Sequence, residues 1–259
     1  MKKLLIIGYV WPEPNSSAAG SRILQLISFF QGEGYQITFV SPAQQTTHMV
    51  DLSIMDIQVK CISLNCTSFD AFILELKPNI VLFDRFMMEE QFGWRVNKNC
   101  PQALRILDTE DLFCLRHARH QAYKQKRVMN DNDLLSSDLA KREVAAIFRS
   151  DLSLMISSVE VSLLKRLFSV SSSLLHYCPF MLTSSQLNQK NPNFSERQDF
   201  MTIGNFRHAP NWDAVLWLKQ QIWPLIQKQL PKAKLNIYGA YPPPKAKALH
   251  DQKSGFLVK

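Results

Sequence analysis

The sequence predicts an α/β protein built from parallel sheets in two lobes, the second of them short. Three observations carry that expectation. Along the first 180 residues, short apolar runs alternate with stretches of helical spacing. The runs show no polar alternation, so they suit strands buried on both faces. Near the C-terminus a second series opens at Phe200 to Ile203, breaks at Gly204-Asn205 and restarts as an amphipathic helix.

Each element follows from its own residues. Leu4 to Val10 is a fully apolar strand, and Trp11 to Ala19 a loop with two prolines. Gly20 to Gln31 has helical spacing, with Ile23, Leu24, Leu26, Ile27, Phe29 and Phe30 on a broad apolar face; Gly32 and Gly34 stop it. Tyr35 to Ser41 and Val59 to Leu64 are strands. Phe69 to Leu76 is a helix ended by Lys77-Pro78, Asn79 to Phe83 a strand, Glu89 to Lys98 a helix and Ala103 to Leu107 a strand. Asp111 to about Met129 is helical and rich in Arg, His and Lys. Asp138 to Arg149 is a helix with Ala140, Val144, Ala145, Ile147 and Phe148 inward. Leu152 to Ile156 and Leu174 to Tyr177 are strands on either side of a helix from Val159 to Phe168.

Pro179 to Asp199 is rich in Ser, Asn, Gln and Pro without periodicity, the mark of a linker. The expected organisation is therefore a domain over residues 1–180, a linker over 181–198 and an incomplete second domain over 199–259. In that second domain Trp212 to Gln229 is a helix with Trp217 and Trp223, joined by Leu216, Ile222 and Leu225, as core, bent or shortened by Pro224. Lys234 to Tyr238 is a strand, Lys245 to Leu249 a helical turn and Gly255 to Val258 a last short strand. A domain this small buries little surface by itself.

Bulk properties narrow the classes. With 259 residues, 46% hydrophobic and 20% charged, the chain has enough apolar content for a real core and is not a disordered segment. No run reaches the roughly 18 apolar residues that suggest a membrane span. Lys2-Lys3 and the apolar run after them imitate a secretion signal, but the run ends at Trp11-Pro12-Glu13-Pro14 with no processing site, so a first buried strand explains it better. Five cysteines, an odd number without a C-x-x-C pair, read as reduced, buried thiols of a cytoplasmic protein; the histidines do not cluster with them, so no metal site is expected. The net charge is +8, and from Met201 onward nine Lys or Arg face two Asp. The basic excess thus sits in the C-terminal piece and favours phosphates, whether of nucleotides, lipid headgroups or nucleic acid, unless it only solvates helix faces.

Candidate chemistry gathers at strand ends, where open α/β sheets bind ligands. The loop from Asn15 to Arg22 follows the first strand and opens a helix. Ser17 and Gly20 leave room for a ligand beside free N–H groups, and Arg22 adds a bidentate donor. The bland alternative is a helix start capped by Ser16 or Ser17. Asp84-Arg85 closes the fourth strand as a charged pair. Asp108-Thr109-Glu110-Asp111 closes the fifth; its carboxylates could orient hydroxyls or supply a general base, or Asp111 could simply cap the next helix. Gly204-Asn205-Phe206-Arg207-His208 is the turn that suits a phosphate in the second lobe.

Gly204-Asn205-Phe206-Arg207-His208-Ala209-Pro210-Asn211, with Asp213 to Trp217 and Ile222 to Ile226, resembles the opening of the C-terminal domain of GT-B glycosyltransferases. It is most similar to the retaining group 1, family 4-like branch. Leu4 to Arg22 and Leu107 to Leu112 resemble the N-terminal domain of a bacterial branch of that family. The resemblance implies two Rossmann-like lobes with a cleft between them. It assigns Gly204, Asn205, Arg207 and His208 to a nucleotide-sugar donor and Asp84 and Arg85 to the acceptor side, with Ser17, Gly20 and Arg22 as the cleft loop. Asp108, Glu110 and Asp111 are the candidate catalytic carboxylates. It implies no cofactor or obligatory metal, the nucleotide-diphosphate sugar being a co-substrate. It also implies a glycan or lipid-linked acceptor, which leaves peripheral contact with the inner membrane open. Two departures stand out. The Glu-rich donor motif of the family has no counterpart here, and Phe113 stands where many relatives carry His. The expectation is a C-terminally truncated glycosyltransferase of doubtful activity. The alternative is a non-catalytic remnant or partner of a split enzyme whose other half is a separate chain. Nucleic acid is not expected as a partner, since no motif accompanies the basic charge.

Overall fold

The computed structural model describes residues 2–187 and 191–259. The chain groups into two units by contact, one of Met1–Pro12 with Arg22–Met181, the other of Glu13–Ser21 with Leu182–Lys259.

The first unit is a seven-stranded sheet: β1 (Lys2–Ile7), β2 (Tyr35–Ser41), β3 (Gln58–Cys61), β4 (Ile80–Asp84), β5 (Leu104–Glu110), β6 (Leu152–Met155) and β7 (Leu175–Tyr177), in the order β3-β2-β1-β4-β5-β6-β7. Every pairing is parallel. Parallel neighbours need crossovers, which here are mainly helical: α1 (Ala18–Gly32), α2 (Ser68–Leu76), α3 (Phe86–Asn99), α4 (Phe113–Lys124), α5 (Asn132–Leu135), α6 (Asp138–Arg149) and α7 (Ser158–Phe168). The strand order reverses between β1 and β4. That break, at the carboxyl ends of the strands, is where a doubly wound sheet opens a ligand crevice.

The side-chain alternation of the strands divides the core into two layers. Leu5, Ile7, Phe83 and Leu107 pack on one face with Phe69, Phe92 and Ile147. Leu4, Ile6, Leu82 and Ile106 pack on the other with Ile23, Leu26 and Ile27 of α1. Trp11 is sealed in this second layer, its indole N–H donating to the Ala43 carbonyl at 2.8 Å, whereas Trp94 on α3 is 55% exposed. Each fully buried aliphatic side chain contributes about 1.5–3 kcal/mol, so this unit carries the main core. Three expectations shift here. Phe148 of α6, expected inward, is 53% exposed. The third strand is shorter and lies exposed at the sheet edge. Of the five cysteines, all free, only Cys114 is buried; Cys61 is exposed on that edge strand.

Along the chain from β7 to the next strand come a short helix α8 (Ser184–Leu187) and a 3₁₀ turn at Phe194–Glu196; linker residues 188–190 fall outside the described residues.

The second unit has three parallel strands, β8 (Phe200–Ile203), β9 (Leu235–Tyr238) and β10 (Phe256–Val258), in the order β10-β9-β8. Its helices are α9 (Ala209–Trp217), α10 (Trp223–Gln229) and the short α11 (Pro244–Lys247). The core is small: Phe206, Val215, Trp223, Leu235, Ile237, Ala246 and Phe256. The single helix expected over Trp212 to Gln229 is interrupted by a π-helical turn at Leu218–Ile222. Pro224 has no N–H to give to the preceding turn, so the backbone widens ahead of it and restarts. The tryptophans separate as a result. Trp223 is buried and donates to the Ser254 carbonyl at 2.6 Å, while Trp217 and Leu225, both expected in the core, are 61% and 68% exposed. β8 is an edge strand, with Met201 65% and Ile203 74% exposed.

Candidate functional site

Two clusters stand at strand ends, one in each unit. In the first unit β4 and β5 run in register with Asp84 beside Asp108, and both belong to the face that α1 covers. Arg22, one turn into α1, reaches Asp108: Nε lies 3.0 Å from each carboxylate oxygen and one terminal nitrogen 2.7 Å from Oδ1. The other terminal nitrogen donates to the Cys178 carbonyl at 2.7 Å. Both side chains of this pair are only 1% exposed. Burial pushes the Asp108 carboxyl up, and the Arg22 clasp opposes it. The expectation that Arg22 serves the cleft loop as a free anion donor therefore gives way: its donors are committed to β5 and to the segment after β7.

Asp84 accepts from the Tyr9 N–H at 2.9 Å through Oδ2, while its buried Oδ1 makes no hydrogen bond. Arg85 follows with φ of 71°, a left-handed conformation that turns the chain sharply into α3. Its Nε lies 3.0 Å from Glu110 Oε2 and 3.6 Å from Asp84 Oδ1, and its guanidinium rests 5.1 Å from the Tyr9 ring centre. Glu110 sits at a break in the β5–β6 register, itself at φ of 56°. Burial, then the Asp84 charge, raises the Glu110 carboxyl to about 7 against the pull of Arg85. Burial likewise raises Asp84. Asp111 is half open to water beside Arg116, at 3.3 Å.

Asp111 does not cap α4. The N–H groups of Phe113 and Cys114 are taken by Glu143 of α6 at 2.9 and 2.7 Å, and that of Leu112 by Glu160 of α7 at 3.3 Å. Burial pushes both glutamates and the Cys114 thiol up. The positive end of this helix is thus filled by the chain's own carboxylates. Sequence reading passed over Glu143, yet a signal was there: it lies three residues from Ala140 and four from Ile147, on the apolar stripe of its helix.

In the second unit Ser17 caps α1, its Oγ accepting the Gly20 N–H at 3.0 Å. Gly20 is needed for space, since a Cβ there would stand 2.4 Å from the Glu13 backbone. The Gly204 turn leaves β8 and enters α9. Asn205 folds back to accept the Arg207 N–H at 2.8 Å, and Asn211 donates to the Asn205 carbonyl at 3.0 Å. His208 stands at the N-cap position and Pro210 just inside the helix. The Arg207 guanidinium stacks 3.5 Å from the Tyr241 ring centre, and the Tyr241 hydroxyl donates to Glu13 at 2.8 Å. A Cβ on Gly239 would come within 2.0 Å of the Gly204 carbonyl, so this turn depends on a bare backbone beside it. Among the described residues no group of three or more His, Cys, Asp or Glu is placed to hold a metal, and no helix is long and apolar enough to cross a membrane.

No protein-family profile and no curated protein matches this sequence. Solved structures do resemble it. A lipopolysaccharide outer core galactosyltransferase, WaaB, is 13% identical with a TM-score of 0.54, covering 100% of this chain and 67% of its own. The MnaA–UDP complex from S. aureus is 16% identical with a TM-score of 0.58, over 100% and 68%. An α-glucosyltransferase bound to UDP and a 13-mer DNA is 11% identical with a TM-score of 0.53, over 93% and 58%. The chain therefore spans between 58% and 68% of the length of these three structures. Because one of them holds DNA, the fold gives no ground for excluding nucleic acid as a partner. At these identities the likeness concerns architecture: a Rossmann-like seven-stranded lobe followed by the opening strands of a second, the GT-B fold.

Proposed function

We propose that this chain is a glycosyltransferase that moves a sugar from a nucleoside diphosphate to a hydroxyl of a glycan or lipid-linked acceptor, in the cytoplasm or at the inner membrane face. The observation that carries the reading is the Gly204 to Asn211 turn at the carboxyl end of β8, with its bare backbone and stacked Arg207, on a fold whose neighbours include a galactosyltransferase and UDP-bound structures. In this reading the second unit takes the donor: Gly204 and Asn205 lie by its diphosphate, and Arg207 and His208 stabilise the charge that grows on it. Ser17 and Gly20 keep the neighbouring loop close and small. The first unit takes the acceptor at Asp84, Arg85 and Glu110.

The acceptor oxygen bonds to the anomeric carbon as the bond from that carbon to the diphosphate oxygen breaks, the electron pair leaving with the nucleoside diphosphate. Glu110 takes the hydroxyl proton. Burial and the Asp84 charge bring its carboxyl to about 7; Asp108 is committed to Arg22, and Asp111 lies beside Arg116.

Titration calorimetry with uridine, guanosine and adenosine diphosphates tests the donor half. At least one should bind saturably, and Arg207→Ala should weaken it about tenfold through loss of a charge-assisted contact. Heat-silent titrations across the panel would end the proposal. A second reading, a non-catalytic partner protein, is favoured by the exposed apolar edge of β8. Diphosphate binding without turnover of any sugar donor would support it.

A further inference from the structure

The fold leaves one carboxylate oxygen beside Glu110 unused. Asp84 is 6% exposed. Its Oδ2 accepts the Tyr9 N–H at 2.9 Å, while Oδ1, equally shut from water, accepts no hydrogen bond. Buried carboxylate oxygens are ordinarily satisfied, so an orphan of this kind calls for a cause. A cation stands beside it. Arg85 Nε lies 3.6 Å from that oxygen and 3.0 Å from Glu110 Oε2, and one terminal nitrogen of Arg85 is also 3.0 Å from Glu110. Nε carries a single hydrogen and gives it to Glu110. The same nitrogen thus stands between two carboxylates and serves one of them.

Arg85 is anchored where both are within reach. Left-handed at φ of 71°, it donates its N–H to the Asp108 carbonyl at 2.8 Å, and its carbonyl accepts the Met88 N–H at 3.1 Å. Its guanidinium rests against the Tyr9 ring. The groups that bear on this cluster are Tyr9 after β1, Arg22 on α1, Asp84 and Arg85 at the end of β4, and Asp108 and Glu110 on β5. Arg22 and Asp108 hold each other, so Asp84 and Glu110 share one cation between two negative charges. Once Glu110 takes up a proton its charge is gone, and the guanidinium is drawn to the charge that remains, on Asp84. A small rotation of the side chain brings Nε to Oδ1 with the backbone unmoved.

We propose that Arg85 is a positioning residue with two seats: it rests on Glu110 while that carboxylate is charged and passes to Asp84 Oδ1 once Glu110 holds the acceptor's proton. This rests on the reading of Glu110 as the group that takes that proton. In the step, the acceptor O–H bond breaks and the proton goes to a Glu110 oxygen. The electron pair stays on the acceptor oxygen, which bonds to the anomeric carbon. Arg85 keeps all its hydrogens and changes only the oxygen they face. Asp84 acts through Arg85: by receiving the cation it stabilises protonated Glu110, and when the cation returns the glutamate sheds its proton.

NMR of the full chain with isotope-labelled arginine and glutamate tests it without any substrate. Arg85→Lys identifies the Arg85 Nε–H signal by its loss, and Glu110→Gln identifies the Glu110 carboxyl. As pH rises from about 5 to about 8, the Arg85 signal should move in step with the Glu110 carboxyl, whose midpoint lies at about 7. In Glu110→Gln it should keep its low-pH position throughout, because the side chain is then uncharged at every pH. In Asp84→Asn an amide oxygen still serves the Tyr9 N–H, but donors face Arg85. There the Nε–H should exchange with water about tenfold faster than in the natural chain at the low-pH end. An Arg85 signal that stays put while Glu110 titrates overturns the proposal, as does a Glu110→Gln signal at the high-pH position. Unchanged exchange in Asp84→Asn puts the second seat elsewhere and overturns it too. The natural chain and Glu110→Gln decide the matter even where circular dichroism shows that Asp84→Asn has not folded. A chain that binds no diphosphate can still show the movement, and one that binds it can fail to, so this inference and the donor reading fail separately.

Discussion

The fold moves the ionisation of Glu110 to about pH 7, and its effect on stability has a definite sign. Its ordinary value of 4.5 rises to about 7 in the folded chain, burial being the first cause. Between those values the folded state holds a proton that the unfolded state has shed. The stabilisation is therefore full below about pH 4.5 and is lost as pH rises through 7, on the order of 1–3 kcal/mol. Glu110→Gln should remove this slope: urea unfolding at pH 5 and pH 7.5 should show a larger loss for the natural chain than for the variant. Equal losses would mean that Glu110 titrates normally. Asp84, Asp108, Glu143 and Glu160 drift in the same direction, so the difference between the two proteins isolates this group. The local sequence displays the three carboxylates of Asp108 to Asp111 as equals. The fold sorts them by partner: Arg22 for Asp108, Arg85 for Glu110, Arg116 for Asp111. Two of these partners lie 86 and 25 residues away, so strand order and not spacing decides them. Residue type and clustering were legible; the pairing was not.

At the scale of elements, α4 is the piece whose start depends on a distant side chain. Glu143→Ala would leave the part-buried Phe113 N–H and the buried Cys114 N–H without this acceptor, at about 1–3 kcal/mol. Glu143→Gln keeps an acceptor and should lose less. Chemical denaturation measures the difference, and faster exchange of the amides of 113 and 114 locates it. Unchanged exchange in the alanine variant would show that the helix end finds other partners. The elements themselves were largely legible because apolar runs and Gly or Pro stops are local signals. The boundaries that moved did so for nonlocal reasons. α4 begins later than Asp111 because the chain first turns through left-handed Glu110, and the helix after β8 breaks where Pro224 withholds its N–H.

At the scale of the molecule, the seven-stranded parallel sheet could be read from runs without polar alternation, and its order follows from crossovers that the helices supply. What the sequence does not reveal is which apolar residues stay uncovered. Phe200, Met201 and Ile203 look like any buried strand, yet in β8 they face solvent along an open edge. Such an edge is a template for another strand. Met201→Lys should reduce self-association of the chain at high concentration, read by light scattering, with little change in the unfolding midpoint. Unchanged scattering would show that the edge is not where molecules meet.

The tryptophans give the two units separate optical voices. Trp11 and Trp223 are sealed, one in each unit, while Trp94 and Trp217 meet water, again one in each. Iodide will dim the second pair and leave the first glowing. A chain that keeps Trp11 or Trp223 as its lone indole then reports the melting of one sheet without interference from the other.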